Sequence, residues 1–265
     1  MDQFEAFKAV QREGWAHFAP LETLTTPPAA HLVKYARIRP GQRVLDVGCG
    51  TGVVAVTAAR LGARVTGLDL TPQLLERARE NSRLAGVEID WHEGDVELLP
   101  FGDASFDAIV SQYGHMLAPR PAVAVAEMLR VLTPGGTIAF STWPPELFIG
   151  RMFAMVGRYL PPPPPGVSPP VQWGDPGTVR ERLGAAVRDL VFDRGTMLVP
   201  ALSPAHNRTN MERTAGPVLK LIEALTESDP AKLAAFRREY EDLAAEYIED
   251  NILRQDYLLT RATKI

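Results

Sequence analysis

The sequence predicts an α/β fold in which a mostly parallel sheet carries helices on both faces. Three observations lead there. From about residue 41 to residue 143, short apolar runs alternate with segments of helical spacing, and such βα repeats close by right-handed crossovers over a parallel sheet. Glycines at 48, 50 and 52 stand between one apolar run and the next helix, where such sheets open their ligand crevice. Beyond Trp143 the alternation stops, and a proline-rich stretch and a long helical segment read as a cover on the sheet core.

The elements follow in order. Arg43-Val-Leu-Asp-Val47 is a first strand running into glycines, and the Ala/Val-rich stretch from Val53 to Leu61 is a helix. Ala63 to Asp69 is the second strand; Thr71 as N-cap and Pro72 at the first helical position open the next helix, with Leu74, Leu75 and Ala78 as its buried stripe. Val87 to His92, Phe106 to Ser111 and Thr137 to Thr142 are strands three to five, with a helix from Pro121 to Leu132 and a turn at Pro134-Gly-Gly136 before the fifth. Leu147 to Leu160 is a helix, and Pro161 to Pro170 is an extended, stiff loop. Asp175-Pro176 starts a helix over Gly177 to Val187, and Asp189 to Val199 is a strand with a bulge or twist at Arg194-Gly195. Pro204 to Asn251 is mainly helical with a break at Asp229-Pro230, and Leu233, Phe236, Tyr240, Leu243, Tyr247 and Ile252 give one apolar face that reads as core rather than as a substrate box. Tyr257 to Ala262 closes the chain as a strand.

Composition narrows the function. The 265 residues carry 28 Lys and Arg against 32 Asp and Glu, and a formal net charge of −4 argues against a surface built to grip nucleic-acid backbone. The single cysteine, Cys49, can form neither an intrachain disulfide nor a multi-cysteine zinc site, and no His/Asp/Glu grouping has a metal-ligand spacing, so no metal is expected. Met1-Asp-Gln-Phe-Glu lacks the layout of a secretory signal, and no window approaches the roughly 18 uninterrupted apolar residues of a membrane span. The expectation is a cytoplasmic protein without membrane or nucleic-acid partners.

Val44-Leu-Asp-Val-Gly-Cys-Gly-Thr-Gly52 carries the strongest chemical signal. Glycine lets a ligand approach the main chain, and free N–H groups at a helix start favour a carboxylate-bearing or otherwise anionic group. Two ligand classes compete. A dinucleotide loop wants its third glycine where this chain has Val53, and the Asp46 carboxylate would repel a pyrophosphate but suits an ammonium or sulfonium. Asp69, ending the second strand, can accept from ribose hydroxyls in either class, or serve as a turn acid for the Thr71 helix. Asp95, in Glu93-Gly-Asp-Val-Glu97, can accept from an adenine amino group beside the Val96 backbone, or be an exposed loop acid.

With Asp69, Gly94-Asp-Val96, Phe106-Asp-Ala-Ile-Val110 and Arg130-Val-Leu-Thr-Pro-Gly-Gly136, this loop resembles the class I S-adenosylmethionine-dependent methyltransferases, most of all the small-molecule branch that includes ubiquinone and menaquinone biosynthesis enzymes. The resemblance covers about residues 40 to 143. It implies a Rossmann-like seven-stranded sheet with an antiparallel last strand, residues 189–199 and 257–262 supplying strands six and seven. Residues 1–265 then form one methyltransferase domain, with core 36–145, 175–203 and 253–265 and helical cover 1–35, 146–174 and 204–252. It also implies S-adenosylmethionine as cofactor and S-adenosylhomocysteine as product. Gly48, Cys49, Gly50 and Gly52 would pass beneath the methionine part, with Asp46 near its ammonium and Cys49 as a small packing residue. Asp69 would hold the ribose, Leu70 would pack on the adenine, Asp95 and Val96 would read its edge, and the Ser111 carbonyl would meet the methionine amino group.

The implied reaction is in-line transfer of a methyl group from a sulfonium to a nucleophile, for which the protein mainly positions partners and excludes water. A base is needed only for an acceptor that must lose a proton. Strand four leads into Gln112-Tyr-Gly-His-Met116, where His115 is the candidate base, with a packing or lining role as its alternative. Tyr113, Met116 and Trp143 are candidate acceptor contacts, with core packing as their alternative. The aromatic stretch Phe4, Phe7, Trp15 and Phe18 is placed to close over the cofactor, and the cover sets acceptor choice. The expected function is methylation of a small-molecule acceptor; the alternatives are methylation of tRNA or protein, and a regulatory protein that binds the cofactor without turnover. Neither the acceptor nor the oligomeric state can be read from the residues.

Overall fold

The apolar run Arg43-Val-Leu-Asp-Val47 becomes the central strand β1 (Arg43–Val47), buried at every residue but Arg43 in a computed structural model that describes residues 3–265. Met1 and Asp2, part of the stretch read for a targeting signal, lie outside the described residues. β1 pairs in parallel with β2 (Arg64–Asp69) on one side and β4 (Phe106–Gln112) on the other. β3 (Asp90–Glu93) extends the sheet past β2, and β5 (Leu132–Thr142) extends it past β4. Two long strands, β6 (Val187–Pro200) and β8 (Ile252–Lys264), complete the order β3-β2-β1-β4-β5-β8-β6, with β8 antiparallel to both neighbours.

The seven expected strands form this path, and a two-residue strand β7 (Ile248–Glu249) adds an eighth by pairing with β8. The helical reading to Asn251 overran here. Asp250 and Asn251 take φ of 48° and 61°, which Asp and Asn tolerate better than most residues, and they close a two-residue hairpin turn from Glu249 to Ile252.

Helices α2 (Glu22–Tyr35), α3 (Val53–Arg60) and α4 (Pro72–Ala85) pack side by side as one layer on the sheet; α5 (Pro121–Val131) and α7 (Pro176–Leu183) form the other. Crossovers from β1 run one way and those from β4 the other, so the sheet opens a crevice between the ends of β1 and β4. Above those ends, α1 (Gln3–Trp15), α6 (Phe148–Tyr159), α8 (Pro204–Thr214), α9 (Gly216–Ser228) and α10 (Pro230–Ala245) pack on one another.

Local chemistry explains the joints. At the expected break the Asp229 carboxylate accepts the Lys232 N–H at 2.9 Å and starts α10. A second, unforeseen break at Ala215 separates α8 from α9; Gly216 follows it, and a Cβ there would sit 2.9 Å from the Gly14 carbonyl carbon, so two glycines let α1 cross α9 closely. Thr71 holds the N-cap position, yet its N–H is satisfied by the Asp69 carboxylate at 2.8 Å, and its own side chain caps nothing. Of the bulge or twist expected at Arg194-Gly195, no bulge forms there; the register shifts between Arg188 and Val191, where Asp189 has φ of 54°. Gly195 stays in register opposite Tyr257, because a Cβ there would come within 2.3 Å of the Tyr257 ring. Among the described residues no helix is long and apolar enough to cross a membrane.

Candidate active site

The chain leaves β1 through Gly48 (φ 63°), Gly50 (φ 54°) and Gly52 (φ 79°) before entering α3. Gly48 meets the turn after β4 backbone to backbone: a Cβ on Gly48 would lie 2.7 Å from the Gly114 Cα, and one on Gly114 would lie 2.4 Å from the Gly48 oxygen. Gly52 serves a different contact. A Cβ there would come within 2.6 Å of the Trp91 ring, and one on Gly67 within 2.3 Å, so Trp91 of β3 lies across both glycines. Sequence reasoning missed Trp91; the glycine inside β2 was the available signal.

Three carboxylates gather at these strand ends. Asp46 is 1% exposed; its Oδ2 accepts the Ala55 N–H of α3 at 3.0 Å, and its Oδ1 has no partner. Burial, with the nearby Asp69 charge adding to it, pushes the Asp46 carboxyl up to about 8. Asp69 accepts N–H groups from Gly50 and Thr71, both at 2.8 Å; burial raises its pKa and these bonds restrain the rise. Asp69 therefore joins the glycine loop to the start of α4 whatever else it binds. Asp95 accepts the Glu97 N–H at 2.8 Å through Oδ1 and pairs through Oδ2 with Lys8, delivered from α1. Glu97 lies 2.8 Å from the same ammonium and 2.7 Å from Arg120. Burial works against the Lys8 charge, but Asp95 and Glu97 outweigh it and raise its pKa. Cys49 is buried, and burial drives its thiol well above the usual range, away from the reactive thiolate.

On the other side of the crevice, Ser111 donates to the Val47 carbonyl at 2.6 Å and accepts the His115 N–H at 3.0 Å, tying β4 to β1. The His115 ring lies 4.4 Å from Phe140 and 4.7 Å from Trp173, with neither nitrogen partnered. Burial first and the Arg182 charge second push its pKa down to about 3, so the ring is neutral at pH 7. Tyr113, a non-glycine residue at φ 61°, stacks on Trp143 with centroids 4.0 Å apart and an interplanar angle of 16°.

One cavity of about 530 Å³ joins these groups, a size suited to a small organic ligand. Asp46, Gly48, Cys49, Gly50, Asp69, Leu70, Asp95, Val96, Tyr113, His115, Met116 and Trp143 all line it; Gly52 and Ser111 lie behind the lining. Lys8 lines it too, as do Asn207 from α8 and Gln255 from β8, and no motif in the sequence marks any of the three. Among the described residues no group of three or more His, Cys, Asp or Glu could hold a metal ion.

Known proteins agree with this architecture. A family model described as a methyltransferase domain matches residues 45–140. An uncharacterized protein of Mycobacterium tuberculosis is 35% identical over 264 residues, covering 98% of this chain and 96% of that one. The ubiquinone biosynthesis O-methyltransferase of Xanthomonas axonopodis pv. citri is 37% identical over 144 residues, covering 53% of this chain and 60% of that one. In structure, a proposed methyltransferase from Bacillus halodurans superposes with a TM-score of 0.60 at 22% identity, covering 89% of this chain and 98% of that one, which speaks to the fold. Sheet order and domain match converge: residues 45–140 form a methyltransferase domain of the class I S-adenosylmethionine-dependent kind.

Proposed function

We propose that this enzyme methylates a small molecule held between the strand ends and the helical cover. The cavity carries the reading: its floor is the β1–β4 crevice, and its other walls come chiefly from α1, α2, α6, α8, β6 and β8. A tRNA-modifying mouth would present free cations. The cations on this lining, Lys8 and Arg12, are each paired, Lys8 with Asp95 and Glu97, and Arg12 with Glu93 at 2.6 Å.

The residues present fit the cofactor. Asp46 Oδ1 is an orphaned buried acceptor suited to a cation, and nothing lies within 4 Å of the point where a Cβ on Gly50 would stand, so the loop leaves room for a ligand. In our reading Asp46 and the Gly48–Gly50 backbone hold the methionine part, Asp69 accepts from the ribose hydroxyls, Leu70 packs on the adenine, and Asp95 with Val96 takes its edge. Ser111 and Gly52 act from behind, Ser111 by fixing the β4 turn and Gly52 by seating Trp91. Bound S-adenosylmethionine supplies a methyl group already activated on sulfur. The protein's duties are then to align the acceptor and exclude water, with Tyr113, Met116 and Trp143 as acceptor wall. Burial and Arg182 disfavour a protonated His115, which supports a wall role for it over that of a base.

Methyl-tritiated S-adenosylmethionine, incubated with the enzyme and a cell extract split by ultrafiltration, tests the proposal. Label should enter filtrate compounds that separate from S-adenosylmethionine by chromatography. Transfer confined to the retained tRNA and protein fraction overturns it.

A further inference from the structure

The cavity has two chemically different walls. Its lysine, arginine and aspartate side chains, Lys8, Arg12, Asp46, Asp69 and Asp95, all come from α1 or from the ends of β1, β2 and β3. Helices α6 and α8 and the two long C-terminal strands contribute Ile149, Met152, Met197, Val199 and Met211, and no ionisable side chain. Asn210 and Thr214 of α8 add polar groups to this wall, and two buried carboxamides interrupt it. Asn207 of α8 is 2% exposed and Gln255 of β8 is 3% exposed. The fully buried Tyr240 hydroxyl donates to Asn207 Oδ1 at 2.7 Å, which fixes the amide and leaves Nδ2 without a partner among the described residues. The Gln255 side chain likewise makes no hydrogen bond to another described residue.

Amide groups that face a cavity without a protein partner take their hydrogen bonds from water or from a ligand. A carboxylate, phosphate or ammonium entering beside this wall would lose its hydration and find no counter-ion. A neutral oxygen, by contrast, accepts from Asn207 Nδ2, and Gln255 offers both a donor and an acceptor. The methionines adapt to ligand shape, so charge discriminates here more than outline does.

We propose that Asn207 and Gln255 recognise the acceptor, and that the acceptor is an uncharged, mostly apolar molecule carrying a hydrogen-bond-accepting oxygen. This rests on the small-molecule reading above. Tyr240 is a positioning residue that acts through Asn207.

Calorimetry on the enzyme loaded with S-adenosylhomocysteine tests this at pH 7 with three ligands sharing one ring system: 2-naphthol, 2-naphthoate and 2-naphthylmethylammonium. The neutral ligand should bind at least about tenfold more tightly than either ion. Asn207→Leu and Gln255→Leu should each weaken 2-naphthol by about tenfold, the worth of one hydrogen bond, with affinity for S-adenosylhomocysteine unchanged. Tyr240→Phe frees the Asn207 amide to turn. It should weaken 2-methoxynaphthalene, whose oxygen only accepts, by about fivefold, and 2-naphthol, which can donate to a turned Oδ1, by no more than about twofold. A merely structural Tyr240 would weaken both equally. Either ion binding as tightly as 2-naphthol, binding by none of the three, or unchanged 2-naphthol affinity in either leucine variant overturns the proposal. Failure of the unmodified enzyme to bind S-adenosylhomocysteine would instead strike the cofactor site.

Discussion

Gly48 and Gly114 touch backbone to backbone across the crevice, each occupying the space that a side chain on the other would need. This contact sets the distance between the loops after β1 and β4. In Gly114→Ala the new Cβ must push the Gly48 carbonyl away, and we expect a loss of at least about tenfold in cofactor affinity by calorimetry. Gly157→Ala is the control. Gly157 is an exposed interior residue of α6 with open space at its Cβ position, so alanine there should leave affinity unchanged and stabilise the fold by about 0.5–1 kcal/mol.

Asp46 should make cofactor binding pH-dependent. Its carboxyl is held up to about 8 in the free protein, and a cation beside it favours the ionised form. Binding near pH 7 should therefore release a proton, with affinity rising up to about pH 8 and flattening above. Calorimetry in buffers of different ionisation enthalpy reads that proton; heats independent of buffer would contradict it. The sign for the free protein is opposite. The folded state keeps this proton to about pH 8 while the unfolded state loses it near 3.8, so stability from this group falls as pH rises between those values. Asp46→Asn should remove that slope and raise the melting temperature at pH 8, while weakening the cofactor.

Lys8 pins α1 to the loop after β3 through Asp95 and Glu97. Lys8→Met should cost roughly 2 kcal/mol in urea unfolding. That is below the usual cost of breaking a buried pair, because Asp95 is partly exposed and Glu97 keeps Arg120. An unchanged midpoint would show that α1 is held by its other contacts, chiefly the Gly14–Gly216 crossing.

His115 does not titrate between pH 5.5 and 8 if its pKa lies near 3. The rate on the true acceptor should then show no inflection from this residue, and His115→Phe should retain activity within about threefold. A fall of about 10²-fold or more would restore the role of base.

Periodicity and glycine spacing make the first five strands legible, and with them Asp46, Asp69 and Asp95, because all stand within a few residues of a strand end. What escapes depends on partners remote in the chain. A lone lysine on an amphipathic helix gives no sign that it will meet Asp95 and Glu97. The apolar stripe of α10 shows the Tyr240 ring as core, which it is, but periodicity is blind to its hydroxyl. Asn207 and Gln255 come to one wall only because α8 lies over the C-terminal strands. The family resemblance marks Ser111 for its backbone carbonyl, whereas its side chain carries the contacts that join β1, β4 and His115.

The crevice between β1 and β4 is the cofactor's place in every one of these assignments. Calorimetric titration of the unmodified enzyme and of Asp69→Ala with S-adenosylhomocysteine tests that most directly. The unmodified enzyme should bind one equivalent, and the variant should bind at least about tenfold more weakly for the loss of charge-assisted hydrogen bonds to the ribose. Equal affinity in the two proteins, or no binding by the unmodified enzyme, would contradict it.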